Sequence, residues 1–240
     1  MALDLSNAPH AGRQRLSEVV LDHLTQQILD GALLPGDALP SEIELANAFQ
    51  VSKPTVRDAL RHLAALGVVE VRQGRPTTVG RLRADALSQF FRFAVAGADS
   101  KAKDVIILRR ALECISGPLA AEHITEEEAA TLTSILKKLE ESKEDHDAWV
   151  YWDARFHLHI AQVSRNVLLP HLMEAIHGVM EDTIRLLHTR IIKRDPELTY
   201  RRHVDLRDAI AGHDADWARK LMEEHFDTSL EIVEMLNRKK

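Results

Sequence analysis

The chain has 240 residues, of which 45% are hydrophobic and 28% are charged, and its net charge is −6 at neutral pH. Ordinary hydrophobic content with a small net charge excludes disorder as the main state, and the length suits one large domain or two smaller ones. The longest uninterrupted apolar run is the five residues 148–152. A membrane span needs about 20 such residues, so we expect no association with a membrane.

The cysteine content indicates the compartment and limits the metal ligands. Cys114 is the only cysteine and cannot form an internal disulfide, which is typical of a reducing, cytoplasmic setting. The first ten residues, MALDLSNAPH, have no basic region followed by an apolar one, so we expect no secretory signal. A metal site in this chain must therefore use His, Asp and Glu.

The first part of the chain has helical periodicity. Apolar residues recur every four positions over residues 16–29, which predicts an amphipathic helix. Ser41 and Glu44 have the spacing of a capping box, which predicts a second helix over residues 41–50. Ser52 as an N-cap and Pro54 in the first turn predict a third helix over residues 52–66.

After residue 67 the period changes from 3.6 to about two. Residues 68–71 and 77–79 are typical of short strands joined by a Gly-containing turn. Three helices followed by a two-stranded hairpin predict a winged helix-turn-helix domain over residues 13–80, preceded by a flexible tail of residues 1–12.

The remainder of the chain predicts a mainly α protein. Residues 81–84 contain neither Gly nor Pro and are interpreted as a short linker. Residues 85–240 are interpreted as an all-helical bundle of about seven helices. The predicted breaks lie near Gly97, residues 123–125, Asp145, Asn166, residues 195–196 and Gly212. Ser164, Thr199 and Asp214 are candidate helix starts.

Positive charge is concentrated in one stretch of an otherwise acidic chain. Between residues 53 and 75, five basic residues accompany two acidic ones, a local charge of +3. In helix-turn-helix proteins the second helix of the motif presents its N-terminal residues to base edges in the major groove of double-stranded DNA. We therefore predict a DNA-binding set in the third helix and the wing, which consists of Lys53, Thr55, Arg57, Arg61, Gln73, Gly74 and Arg75. On charge alone, an ordinary solvated helix face remains an equal alternative.

The residues around these charges resemble the N-terminal domain of the GntR family of bacterial transcription regulators. The matching motifs are PGDALPSE at residues 35–42, LA at 45–46, VSKPTVRDAL at 51–60 and LAALGVV at 63–69. The resemblance covers roughly residues 13–80 and implies sequence-specific binding of DNA. Lys53 stands where the family usually has Arg, and Ile43 stands where several relatives have a basic residue.

The helical part resembles the FCD effector-binding domain of the FadR subfamily. Its motifs are RRALE at residues 109–113, WDARFH at 152–157, HVDLRDAI at 203–210 and MEEHF at 222–226. The resemblance implies a divalent metal site, with zinc as the expected ion and nickel or manganese as alternatives, whose ligands are Asp153, His157, His203 and His225. A chance grouping is the competing interpretation, because the chain contains 13 histidines.

The same resemblance assigns Arg109 to the effector site, where a guanidinium suits a carboxylate. An ion pair between Arg109 and Glu113, four residues apart, is an equal alternative. The implied function is a homodimeric regulator, more readily a repressor than an activator, that binds an inverted-repeat operator. Its implied effector is a small organic acid or sugar acid.

Two other functions compete with this one. A metal-responsive regulator with a structural metal and no organic effector is the first. The second is a metal-dependent hydrolase, which we do not favour because the chain has no His-Glu-x-x-His, no Gly-x-Ser-x-Gly and no Gly-rich phosphate loop. We therefore expect that the protein is not an enzyme.

Overall fold

The computed structural model describes residues 11–81, 83–97, 101–189 and 196–237. The contacts divide the chain between Ala86 and Leu87 into two compact units. Of the predicted tail, residues 1–12, the first ten lie outside the described residues. Residues 11 and 12 belong to a helix instead.

The first unit has the predicted order of three helices and a two-stranded wing. The elements are α1 (Ala11–Leu29), α2 (Glu42–Phe49), α3 (Lys53–Ala65), β1 (Val69–Glu70) and β2 (Thr78–Val79). The strands are antiparallel, with Val69 opposite Val79 and Glu70 opposite Thr78.

Local side-chain bonds determine where α2 and α3 begin. The Ser41 amide donates to Oε2 of Glu44 at 2.8 Å, and the Glu44 amide donates to the Ser41 hydroxyl at 3.3 Å, which completes the predicted capping box. Gln50 ends α2 in the left-handed region, with φ of 54°. The Ser52 hydroxyl then accepts from the Thr55 amide and starts α3.

The apolar faces of these elements enclose one core. Val20 of α1, Val56 of α3 and Val79 of β2 are among its buried side chains. The remaining buried members are Leu24, Leu39, Leu45, Ala46, Ala59, Leu60, Leu63 and Val69. This core fixes the face of α3 that points outward.

Seven helices follow the wing within the described residues, as the sequence predicts. They are α4 (Asp85–Ala96), α5 (Lys101–His123), α6 (Glu126–Glu141), α7 (His146–Val163), α8 (Leu168–Thr189), α9 (Pro196–Ala211) and α10 (Ala215–Asn237). Asp214 caps α10 as expected, by accepting from the Trp217 amide at 2.9 Å.

Two of the candidate helix starts are wrong. Ser164 is the C-cap of α7, and the side chain of Asn166 instead accepts from the amides of Leu168 and Leu169 at the start of α8. Thr199 lies inside the first turns of α9, because that helix begins at Pro196.

Helix α7 is buried along most of its surface. Trp149, Phe156 and Ile160 join the main core, which also receives side chains from α5, α6, α9 and α10. Asp153 and His157 occupy further buried positions of the same helix. Asp153 and His157 therefore lie in the interior of the second unit, at the site described below.

Candidate DNA-binding surface and metal centre

The first turns of α3 display positive charge. Lys53, Arg57 and Arg61 are exposed, as a DNA-reading helix requires. Thr55 differs from the expectation because it is only 2% exposed and its hydroxyl lies 2.7 Å from the Ser52 hydroxyl. Its side chain therefore organises the start of α3, and we do not retain it as a candidate base contact.

Arg57 is held by the carboxylate of Glu42, a partner that was not predicted from the sequence. Its Nη2 and Nε atoms donate to Glu42 of α2 at 2.7 and 3.1 Å. The hydrogen bond from Arg57 keeps the pKa of Glu42 below its usual value. Both side chains remain partly exposed, so the pair orients Arg57 more than it stabilises the fold. A separation of 15 residues gives no helical spacing from which the pair could have been predicted.

The wing adds a second basic surface. Gln73, Gly74 and Arg75 are exposed at its turn, where Gly74 has φ of 73°. A cavity of about 540 Å³ opens beside them, and its lining includes Arg72, Arg75, Arg81 and Arg83. Arg72 pairs with Glu70 at 2.7 Å and Arg83 with Asp85 at 2.8 Å. Arg72, Arg81 and Arg83 therefore lie near the predicted wing residues, but carboxylate partners offset the charges of Arg72 and Arg83.

In the second unit, three histidines from three helices converge. His157 of α7, His203 of α9 and His225 of α10 each offer a ring nitrogen, and these nitrogens lie within 4.8 Å of one another. All three side chains are at least 96% buried. No local sequence pattern relates three separate helices in this way, so their meeting is a product of the tertiary fold.

Asp153 lies beside this cluster, so the structure brings together all four residues predicted as ligands. Oδ1 of Asp153 is 3.0 Å from Nε2 of His203 and 3.9 Å from Nε2 of His157. Its carboxylate is buried, which raises its pKa, but nearby His203, His157 and Arg109 outweigh burial and hold the pKa well below the usual range. Asp153 is therefore an ionised carboxylate, the form that binds a metal.

The donor atoms fit a divalent transition metal. Nδ1 of His203 donates to the Thr199 carbonyl at 2.7 Å, and Nδ1 of His157 contacts Oε2 of Glu113. The opposite nitrogens, Nε2 of His157 and of His203, are buried and have no hydrogen-bond partner among the described residues. Burial also lowers the pKa of His157 and favours its neutral, metal-binding form. Neutral imidazoles with one fixed N–H and one free lone pair are the ligands that zinc prefers.

Arg109 and Glu113 of α5 form the ion pair that was one of the two alternatives for Arg109. Nε of Arg109 donates to Oε1 of Glu113, and Nη2 lies 3.4 Å from Oδ2 of Asp153. Burial raises the pKa of Glu113, but Arg109 and His157 reverse this effect and lower it. Glu113 is 1% exposed. From the sequence, Glu113 is identifiable only as a partner of Arg109, because no local pattern indicates that α5 faces His157.

No helix of the described residues is long and apolar enough to cross a membrane. Two family models match the chain. The model of bacterial regulatory proteins of the gntR family matches residues 16–79, and the FCD domain model matches residues 104–228.

Known proteins similar to the chain carry regulator names. The HTH-type transcriptional regulator LutR of Bacillus subtilis is 33% identical over 211 residues, which are 86% of this chain and 95% of that protein. The HTH-type transcriptional repressor NanR of Salmonella typhimurium is 30% identical over 230 residues, 90% of this chain and 83% of that protein.

Solved structures show the same architecture. Streptococcus agalactiae GntR superposes with a TM-score of 0.70 and 25% identity, covering 90% of this chain and 99% of the other. Escherichia coli McbR/YncC has a TM-score of 0.50 and 23% identity, covering 92% and 98%, and supports the fold alone. The matched families and relatives are transcription regulators and not enzymes. This chain therefore belongs to the GntR family of bacterial DNA-binding regulators, in its FadR-like subfamily with a C-terminal FCD domain.

Proposed function

We propose that this protein is a homodimeric repressor whose binding to an inverted-repeat operator is controlled by a small organic acid or sugar acid. The acid binds at a divalent metal held by Asp153, His157, His203 and His225. Zinc is the preferred metal, with nickel or manganese as alternatives. The observation that carries the metal is the convergence of the three histidine nitrogens within 4.8 Å of one another, where Nε2 of both His157 and His203 is buried without a hydrogen-bond partner among the described residues. A buried polar atom without a partner is costly, and a metal ion removes that cost.

The DNA-binding part of the proposal rests on the exposed charges of the first unit. Lys53, Arg57 and Arg61 on α3 are the proposed contacts in the major groove. Gln73, Gly74 and Arg75 of the wing are the proposed contacts with the flanking groove and backbone. A twofold dimer presents two such surfaces, which is why the operator is an inverted repeat. The similarity to NanR, a transcriptional repressor, supports repression in preference to activation.

The charge around the histidines supports an acidic effector. Histidines that bind a metal are neutral. The charge of the centre is then the sum of two carboxylates, Asp153 and Glu113, and one guanidinium, Arg109, which is one net negative charge. A divalent cation changes this to one net positive charge, which a single carboxylate neutralises. The metal, when bound, offers open coordination positions to a carboxylate or hydroxyl.

Arg109 retains a role in effector binding in this proposal. Its Nε and Nη2 atoms engage Glu113 and Asp153, which leaves Nη1 as the group that an incoming carboxylate meets. Effector binding shifts the dimer toward an arrangement of its two DNA-binding units that no longer matches the operator. Such a shift requires only that the effector binds the two arrangements with different affinity, and a coupling of ~1–3 kcal/mol is typical.

A thermal-shift screen tests the proposal. Zinc-loaded and chelator-treated protein are heated with a panel of monocarboxylic, hydroxy and sugar acids, such as acetate, glycolate and gluconate. A ligand at 100 times its dissociation constant adds about 2.7 kcal/mol, which raises the melting temperature measurably. An acid that stabilises only the zinc-loaded protein and releases DNA selected from a random duplex library supports the proposal. If zinc alone releases that DNA and no acid acts, the metal-responsive alternative replaces it.

A further inference from the structure

Glu113 is a buried carboxylate to which the proposed function gives no task of its own. It lies on α5 with 1% of its surface exposed, and each of its two oxygens has a different neighbour. Oε1 accepts from Nε of Arg109, and Oε2 contacts Nδ1 of His157. One carboxylate thus connects a buried cation to one of the histidines of the cluster.

Arg109 extends this connection to a second candidate ligand. Its Nη2 lies 3.4 Å from Oδ2 of Asp153, while Oδ1 of Asp153 faces Nε2 of His203 at 3.0 Å. The contacts therefore run from Asp153 through Arg109 and Glu113 to His157. Both ends belong to α7, and both middle members belong to α5.

We propose that Arg109 and Glu113 form a positioning pair that organises two of the four metal ligands from outside the coordination shell. Glu113 holds the proton of His157 on Nδ1 and leaves the Nε2 lone pair for the metal. Arg109 donates to Oδ2 of Asp153, which leaves Oδ1 as the atom that coordinates the metal. The inference rests on the proposed metal site and assigns to it two residues that are not ligands.

Mutants distinguish a pair that positions metal ligands from an ion pair that merely stabilises the fold, because the two roles predict different metal affinities. Replacing both members of a buried pair by apolar residues of similar volume is often neutral or stabilising for a fold. Groups that orient metal ligands, in contrast, typically change metal affinity by about 10–100-fold when they are removed. The double variant Arg109→Met/Glu113→Leu therefore separates the two roles, because it keeps the volume and removes the contacts.

The experiment measures zinc affinity by competition with a chromophoric chelator in the full chain. Glu113→Gln keeps the shape and an acceptor oxygen for Nδ1, and its zinc affinity should fall about tenfold. The double variant should lose about 100-fold in affinity while its melting temperature without metal stays at or above that of the wild type. Ser116→Ala is the matched control, because Ser116 is buried on the same helix and its hydroxyl donates only to the Leu112 carbonyl.

Two spectroscopic measurements report positioning directly. The absorption bands of Co²⁺-loaded protein should shift in both variants and not in Ser116→Ala. Nitrogen NMR of the metal-free wild type should show the proton of His157 on Nδ1, and the double variant should show a mixture of both tautomers.

Wild-type zinc affinity and an unchanged cobalt spectrum in a folded double variant would overturn the positioning role and leave the metal site intact. Absence of zinc binding to the wild type is a different failure, because it removes the proposed metal function itself. Fold stability and metal affinity are measured on the same samples, so a variant that fails to fold is recognised, and Glu113→Gln then decides the outcome.

Discussion

Nε2 of His203 lies 3.0 Å from Oδ1 of Asp153, and Nε2 is buried with no hydrogen bond assigned to it among the described residues. A buried carboxylate and imidazole at this separation normally share a proton. Nδ1 of His203 lies 2.7 Å from the Thr199 carbonyl, which can only accept a hydrogen bond, so this contact requires a proton on Nδ1. Two lone pairs therefore converge, which is favourable only when a cation lies between them.

Exposed arginines of α3 should control operator binding without affecting the fold. Arg57→Ala should weaken binding to DNA selected from a random duplex library by roughly tenfold or more. Fluorescence anisotropy with selected and scrambled duplexes measures the loss. The control is Arg201→Ala, an exposed arginine on α9 that also pairs with a glutamate. Equal losses on selected and scrambled duplexes would show that Arg57 contributes charge and not specificity.

The basic wing should act on the DNA backbone. Arg75→Ala should make the plot of log binding constant against log salt less steep by about 0.9, because each phosphate contact releases a counterion. Titrations at several salt concentrations measure the slope. An unchanged slope would remove Arg75 from the interface.

The thiol of Cys114 should react slowly. Burial raises its pKa to about 11. Only the thiolate is nucleophilic, and an unperturbed cysteine has a pKa of about 8.5, so iodoacetamide should alkylate the folded protein at pH 8 roughly 200-fold more slowly than the unfolded chain. The rate should rise about tenfold per pH unit between pH 8 and 10, since each unit multiplies the thiolate fraction by ten. Folded and urea-unfolded samples analysed by mass spectrometry give both rates, and equal rates at pH 8 would contradict the raised pKa.

The core around α7 should be sensitive to lost volume. Leu136 of α6 is 1% exposed in the same cluster as Trp149. Leu136→Ala should lower the free energy of unfolding by about 2–5 kcal/mol, measured by urea titration with tryptophan fluorescence. Leu168→Ala is the matched control, because Leu168 is 64% exposed, and its effect should stay within about 0.5 kcal/mol.

Local signals explain what the sequence could predict. The capping residues Ser41 and Ser52 fix the starts of α2 and α3 through bonds to atoms only three residues away, so the helix-turn-helix was predictable from spacing. Asp153 and His157 share a helix face for the same reason. Their association with two further histidines was predicted from the family resemblance and not from periodicity.

Contacts between distant residues explain what the sequence analysis missed. Glu42 and Arg57 pair across a turn, and Glu113 reaches His157 across two packed helices. Residue spacing carries no information on either contact. The contact between the Thr55 and Ser52 hydroxyls, which buries Thr55, was likewise not considered when Thr55 was predicted as a DNA contact.

Metal analysis of matched histidine variants is the sharpest test of the proposed metal centre. Wild-type protein, His203→Ala and His159→Ala are loaded with zinc, desalted and measured by elemental analysis, with circular dichroism to confirm folding. His159 lies on α7 beside His157, but its Nε2 is bonded to the Glu128 carbonyl at 3.1 Å. We expect about one zinc per chain in the wild type and in His159→Ala, and less than roughly a tenth of that in His203→Ala. Equal zinc content in a folded His203→Ala protein would contradict the metal centre.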